Sequence, residues 1–270
     1  MAFRGAFGRG KQQTRTKFQH PLRVQSNNGK SDGKARGCEP GVAQAESRIS
    51  NSILTSLPKT EFDAVLPFLE FVDLQWHRRL HEPAVPMKFG YFPNGGIVSL
   101  IVPVSDGRSA EVGMIGKEGF VGAALTIGMS RTPQVALVQA ASTATRLSAE
   151  ALSTIVQSAP TLRDSVFKYA LIQGMEVAQT AACNRLHDLP QRLARWLLMS
   201  QDRLSCAVLP FTQEILATML GTGRPSVTIA AQELERNGGI KQGRGTIEIV
   251  DRRKLETRSC ECYAIMRAFS

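Results

Sequence analysis

The chain has 270 residues, 43% of them apolar, and carries a net charge of +10. That length predicts two domains of ordinary size, and no apolar run approaches the ~20 residues of a membrane helix, so no membrane association is expected. Nine Lys/Arg against one acid, Asp32, lie within residues 1–37; this tail holds +8 of the charge and leaves +2 for the rest, so charge alone does not mark the folded part as a nucleic-acid binder.

Five scattered cysteines, Cys38, Cys183, Cys206, Cys260 and Cys262, do not form a disulfide framework, and residues 1–37 lack the apolar core of a secretory signal. A cytoplasmic location is expected. Residues 1–47 are rich in Gly, Gln, Lys and Arg, a composition that predicts a disordered basic tail. Such a tail is either a solvated leader or an arm adding sequence-blind affinity for phosphates. Gly29-Lys30-Ser31-Asp32-Gly33 matches a nucleophile-elbow pattern by letter only, since neither a strand nor a helix flanks it.

From Ile49 to Leu69 the apolar residues recur at spacings of three and four, with Pro58 opening a second short helix. The period then changes. Ile97 to Val102 and Val135 to Ala140 read as strands, and Asp106-Gly107 as a two-residue hairpin turn leading into Ser109 to Ile115. Short strands at this spacing predict a small antiparallel barrel or roll over residues 48–158. Pro160 opens a long helix running to about Leu186, with Leu162, Val166, Tyr169, Ile172, Met175, Val177 and Ala181 as its apolar stripe. A further helix starts near Leu189-Pro190.

Residues 212–231 carry the chemistry. Thr212 suits an N-cap, Leu216, Ala217 and Leu220 form an inner face, and Gly221 supplies a left-handed turn. Pro225 and Ser226 start the next helix, with Val227, Ala230, Ala231 and Leu234 as its buried stripe. A small residue, a glycine four later and an apolar residue six after that is helix-turn-helix spacing. Gly238 to Val250 then reads as a β-hairpin, placed where a wing would lie. Arg224 can reach a guanine edge with two hydrogen bonds. Thr212, Ser226 and Thr228 are short donors suited to phosphates, and Arg244 stands at the wing tip. With Gln213, Pro225 and Ile229 these residues make up the expected DNA-contacting set.

The chain resembles the Crp/Fnr superfamily, the cyclic-AMP receptor protein and its relatives, over residues ~48–262. The resemblance rests on Tyr91-Phe92-Pro93 through Gly96 to Leu100, Asp106-Gly107, Glu111-Val112-Gly113, Gly116 to Gly122, and Pro190 to Leu198. It implies an α+β fold: an N-terminal cyclic-nucleotide-binding-like β-roll, a long dimerisation helix at 159–187 and a C-terminal winged helix-turn-helix over 188–270. It also implies a homodimer on a near-palindromic site in double-stranded DNA, with RNA polymerase a candidate partner. Nucleotide-binding members carry a ribose-binding glutamate where this chain has Ala123, and a phosphate-binding arginine where it has Gln134, with Arg131 three residues upstream. A neutral amide does not replace a guanidinium, so no cyclic-nucleotide binding is expected. Pro225 and Ile229 replace further polar base readers.

No cofactor and no metal site is expected. Only Cys38 stands where oxygen-sensing relatives hold an N-terminal cysteine cluster, Cys260 and Cys262 read as structural thiols on a terminal helix rather than as a local metal-binding or redox pair, and His77 and His81 lack a third ligand. No nucleotide loop or nucleophile–base set points to an enzyme. A transcription regulator is the leading expectation. The alternative is a signalling or scaffold protein that keeps the fold and binds a protein partner.

Overall fold

The computed structural model describes residues 49–269. The expected disordered tail, the Gly29–Gly33 pattern and Cys38 lie outside the described residues. Two short helices, α1 (Ser52–Thr55) and α2 (Lys59–Val65), precede seven strands: β1 (Glu70–Leu74), β2 (Arg79–His81), β3 (Phe89–Pro93), β4 (Ile97–Pro103), β5 (Ser109–Ile115), β6 (Val135–Ala140) and β7 (Ser142–Ser148). They pair antiparallel in two sheets, ordered β1-β7-β3 and β2-β6-β4-β5. Helix α3 (Ala149–Ser158) leads into the long α4 (Pro160–Leu186), 27 residues or about 40 Å. Then come α5 (Leu189–Leu204), β8 (Val208–Leu209), α6 (Gln213–Met219), α7 (Arg224–Arg236), β9 (Ile240–Gly243), β10 (Thr246–Ile249), α8 (Arg252–Arg258) and α9 (Cys262–Phe269). None of the described helices is long and apolar enough to cross a membrane.

The β4–β5 hairpin corrects one detail. Val104 N–H donates to Arg108 O and Gly107 N–H to Val104 O, with Gly107 at φ 87°. The connection is therefore a three-residue loop, Ser105 to Gly107, rather than a two-residue turn; the left-handed glycine sits at its end, where it restores the pairing.

Strand β4 explains why its sequence is apolar without alternation. Val98 and Leu100 point between the two sheets, into a core with Leu74, Tyr91, Ile115 and Val138. Ile97 and Ile101 point the other way and pack with residues of α5, α6 and α7, including Trp196, Leu197, Leu216 and Val227, in one continuous cluster. A strand buried on both faces cannot show a polar face. Between Ile97 and Ile101, Ser99 donates to Glu111 Oε2 at 2.6 Å, and Trp196 Nε1 donates to Glu111 Oε1 at 2.9 Å. The Glu111 carboxylate thus joins the β-roll to α5. Burial pushes its pKa up to about 7, against the lowering effect of Ser99, Trp196, Arg195 and Arg203.

The apolar residues of α4 divide between two faces. Leu162, Val166 and Cys183 are buried within the chain, and Tyr169 packs over Gly119, where a Cβ would come within 2.2 Å of the ring. Phe167, Leu171 and Met175, spaced four apart, are exposed, Leu171 to 72%. The single stripe expected from sequence is two stripes, because one face of the 27-residue helix packs within the chain while another is left at the surface.

Candidate nucleic-acid interface

Helix α6 begins at Thr212, whose hydroxyl oxygen accepts from Ile215 N–H at 3.2 Å. It ends where Gly221 takes φ 62°, a left-handed conformation disfavoured for residues with a side chain. Arg192 from α5 donates to Leu220 O at 2.6 Å, satisfying a carbonyl at the end of α6. Thr222 N–H donates back to Ala217 O, closing the turn. Helix α7 then opens with Pro225 in its first turn, where a missing N–H costs nothing.

The buried stripe of α7 is Val227, Ala230, Ala231 and Leu234. Small Ala230 and Ala231 let α7 lie close to the helices beneath it. The opposite face is left open: Arg224, Pro225, Ser226, Ile229, Gln232 and Arg236 lie on it, Ile229 exposed to 66%. Among the described residues neither Arg224 nor Arg244 enters an ion pair with a carboxylate. Strands β9 and β10 pair antiparallel, with Arg244 and Gly245 at their tip and Gly245 at φ 75°. Strand β8 adds to the far edge of β10, making a three-stranded wing.

A side-chain network ties this assembly together. Thr228 Oγ1 donates to Gln213 Oε1 at 2.6 Å, and Gln213 Nε2 donates to Gln242 Oε1 at 2.8 Å. Gln242 donates from its backbone N–H and its Nε2 to the Glu235 carboxylate, which holds that carboxyl below its ordinary pKa. Gln213 therefore bridges α6, α7 and the wing. The proton of Thr228 is directed into the protein, leaving its oxygen only as an acceptor. Thr212, Arg224, Pro225, Ser226, Ile229 and Arg244 stay at the surface. Two exposed polar residues nearby lie outside the expected set: Gln232, three residues beyond Ile229 on the open face, and Lys241 on β9. Helical spacing from Ile229 was the signal for the first.

In the β-roll, Gly122 (φ 101°) precedes a single 3₁₀ turn, Ala123–Ile127. Ala123 and Ala124 pack on the core formed by Phe92, Phe120, Leu147 and Leu152. Arg131 is exposed, and Gln134 N–H donates to Thr132 Oγ1. His77 is exposed, while His81 is buried with Nε2 2.8 Å from Phe89 O.

Residues 191–258 match the family model described as a Crp-like helix-turn-helix domain. Similar solved structures include the c-di-GMP responsive global regulator CLP of Xanthomonas campestris, at 17% identity over 72% of this chain and 100% of that one, with TM-score 0.61. FixK2 from Bradyrhizobium japonicum is 14% identical over 71% and 98%, with TM-score 0.62. A Crp/Fnr-family transcriptional regulator from Thermus thermophilus is 22% identical over 70% and 98%, with TM-score 0.60. No curated protein matches.

Proposed function

We propose that this chain is a DNA-binding transcription regulator of the Crp/Fnr type that acts as a cytoplasmic homodimer on a near-palindromic operator without needing cyclic AMP. The observation that carries the reading is the open face of α7, beside an exposed wing tip, while its other face is fully packed. Arg224 reads a guanine through two hydrogen bonds, and Ile229 rests on a thymine methyl. Gln232, an amide able to pair with an adenine edge, extends the readout along the same face. Thr212, Ser226 and Arg244 hold phosphates, setting the register without reading sequence. Gln213 and Thr228 keep α6, α7 and the wing in fixed relation, so their part is to position the reading residues.

The dimer is supported by α4. Phe167, Leu171 and Met175, followed by Ala178 and Ala182, form an apolar seam on the solvent side. Two such seams packed together would bury it and bring two α7 helices to one face of the duplex. Cyclic-AMP independence is supported by Ala123, which packs on the core and offers no carboxylate to a ribose, and by the neutral amide at Gln134. In-vitro selection of bound DNA, run without any cyclic nucleotide, tests the whole reading. A two-fold symmetric site with half-sites about one turn, roughly 10 bp, apart is expected; enrichment of no sequence, or only after cyclic AMP is added, would refute it.

A further inference from the structure

Four metal-ligating side chains from distant parts of the chain meet at the C-terminal end of α4. Cys183 lies in its last turn and His187 just past it, Cys262 opens α9, and Cys260 lies two residues before it. Their ligand atoms all lie within 4.8 Å of one another. Cys183 Sγ is 3.5 Å from Cys260 Sγ, and Cys262 Sγ is 3.6 Å from His187 Nδ1. A tetrahedral zinc ion, with bonds of about 2.3 Å to sulfur and about 2.0 Å to nitrogen, has sulfur–sulfur edges of about 3.8 Å and sulfur–nitrogen edges of about 3.5 Å. The cage therefore has the size of a single ion's shell. An iron–sulfur cluster puts its ligands on different irons and spreads them wider than this.

The surroundings point the same way. The three thiols are buried, unbridged by disulfides, and form a cluster of their own apart from the aliphatic cores. His187 Nε2 is 3.2 Å from Glu261 Oε1, the carboxylate partner that orients a histidine ligating through its other nitrogen. Gln179 Nε2 lies 3.1 Å from Cys262 Sγ and donates to it. Arg195 is only 4% exposed, and its Nη1 finds Thr180 Oγ1 and the sulfurs of Met199 and Met266. Its Nε has no hydrogen-bond partner among the described residues. Three thiolates, a neutral imidazole and Zn²⁺ sum to one negative charge, which this buried guanidinium would balance.

We propose that Cys183, His187, Cys260 and Cys262 bind one Zn²⁺ ion in a closed Cys₃His shell that fastens α9 to the end of α4. The ion displaces three thiol protons to solvent and undergoes no redox change. This replaces the expectation of structural thiols on a terminal helix: Cys262 opens α9, Cys260 precedes it, and both face ligands more than 70 residues earlier in the chain.

The full chain, purified under reducing conditions without chelator, is expected to hold one zinc per chain by elemental analysis. Co²⁺ in its place is expected to give the thiolate charge-transfer and ligand-field bands of a tetrahedral site. In competition with a chromophoric chelator, Cys262→Ser and His187→Ala should lose most zinc affinity, His187→Cys should retain it, and Glu261→Gln should weaken it by about tenfold. Folded wild-type protein that takes up neither zinc nor cobalt overturns the proposal. So does iron with inorganic sulfide, or a Cys183–Cys260 disulfide in the freshly reduced chain. These wild-type readouts decide the matter even if a variant fails to fold.

Discussion

Arg224 shows how much one side chain can carry. It stands in the first turn of α7, exposed and outside any ion pair with a described carboxylate, so its guanidinium needs no internal salt bridge broken before it meets a base. Arg224→Ala is expected to weaken binding to the proposed operator by about 1–3 kcal/mol, roughly fivefold to 150-fold, while affinity for unrelated DNA changes little. Arg224→Lys should not restore the loss, since an ammonium lacks the planar fork that pairs with a guanine. Fluorescence anisotropy on both DNAs checks this; an equal loss on both would make Arg224 a phosphate contact instead. Sequence placed Arg224, Ser226, Ile229 and Arg244 at the surface through helical spacing and turn chemistry. It did not foresee that Thr228 and Gln213 bond each other, because that pairing depends on the angle at which α6 and α7 cross.

Among the elements, α4 combines two tasks. Its inner face closes the β-roll through Leu162, Val166 and Tyr169, and its outer face carries Phe167, Leu171 and Met175 into solvent. Leu171→Glu leaves the inner face untouched, so the helix and the β-roll should remain folded by circular dichroism. A charge buried in the proposed seam has no partner, and sedimentation should change from dimer to monomer. A variant that still sediments as a dimer would place the contact elsewhere. The ends of α4 were legible because Pro160 and Leu189-Pro190 punctuate the chain, but its two faces were not. Apolar spacing reports that a residue prefers burial, not which neighbour buries it.

Across the whole molecule, the β-roll and the helix-turn-helix share one core, and Glu111 lies at their junction. Its carboxyl titrates near 4.5 when unfolded and about 7 when folded, so the folded chain binds the extra proton between those values. Stability from this group is present in full below pH 4.5 and declines as pH rises to about 7. A Glu111→Gln variant keeps an acceptor for Trp196 and cannot ionise. Its thermal stability should lack that decline and exceed wild type near pH 8 by on the order of 3 kcal/mol. Parallel pH profiles of the two proteins would show instead that Glu111 ionises freely at the junction.

Local sequence alone determined strands β4, β5 and β6, the ends of α4, and the helix-turn-helix with its open face, because caps, prolines, a left-handed glycine and helical periodicity act within a few residues. Tertiary structure decided what those elements meet. It placed a second buried face on β4, joined Glu111 to Trp196, and brought Cys183 and His187 to Cys260 and Cys262. Such meetings depend on how helices and sheets pack across tens of residues, and spacing along a chain carries no record of that distance.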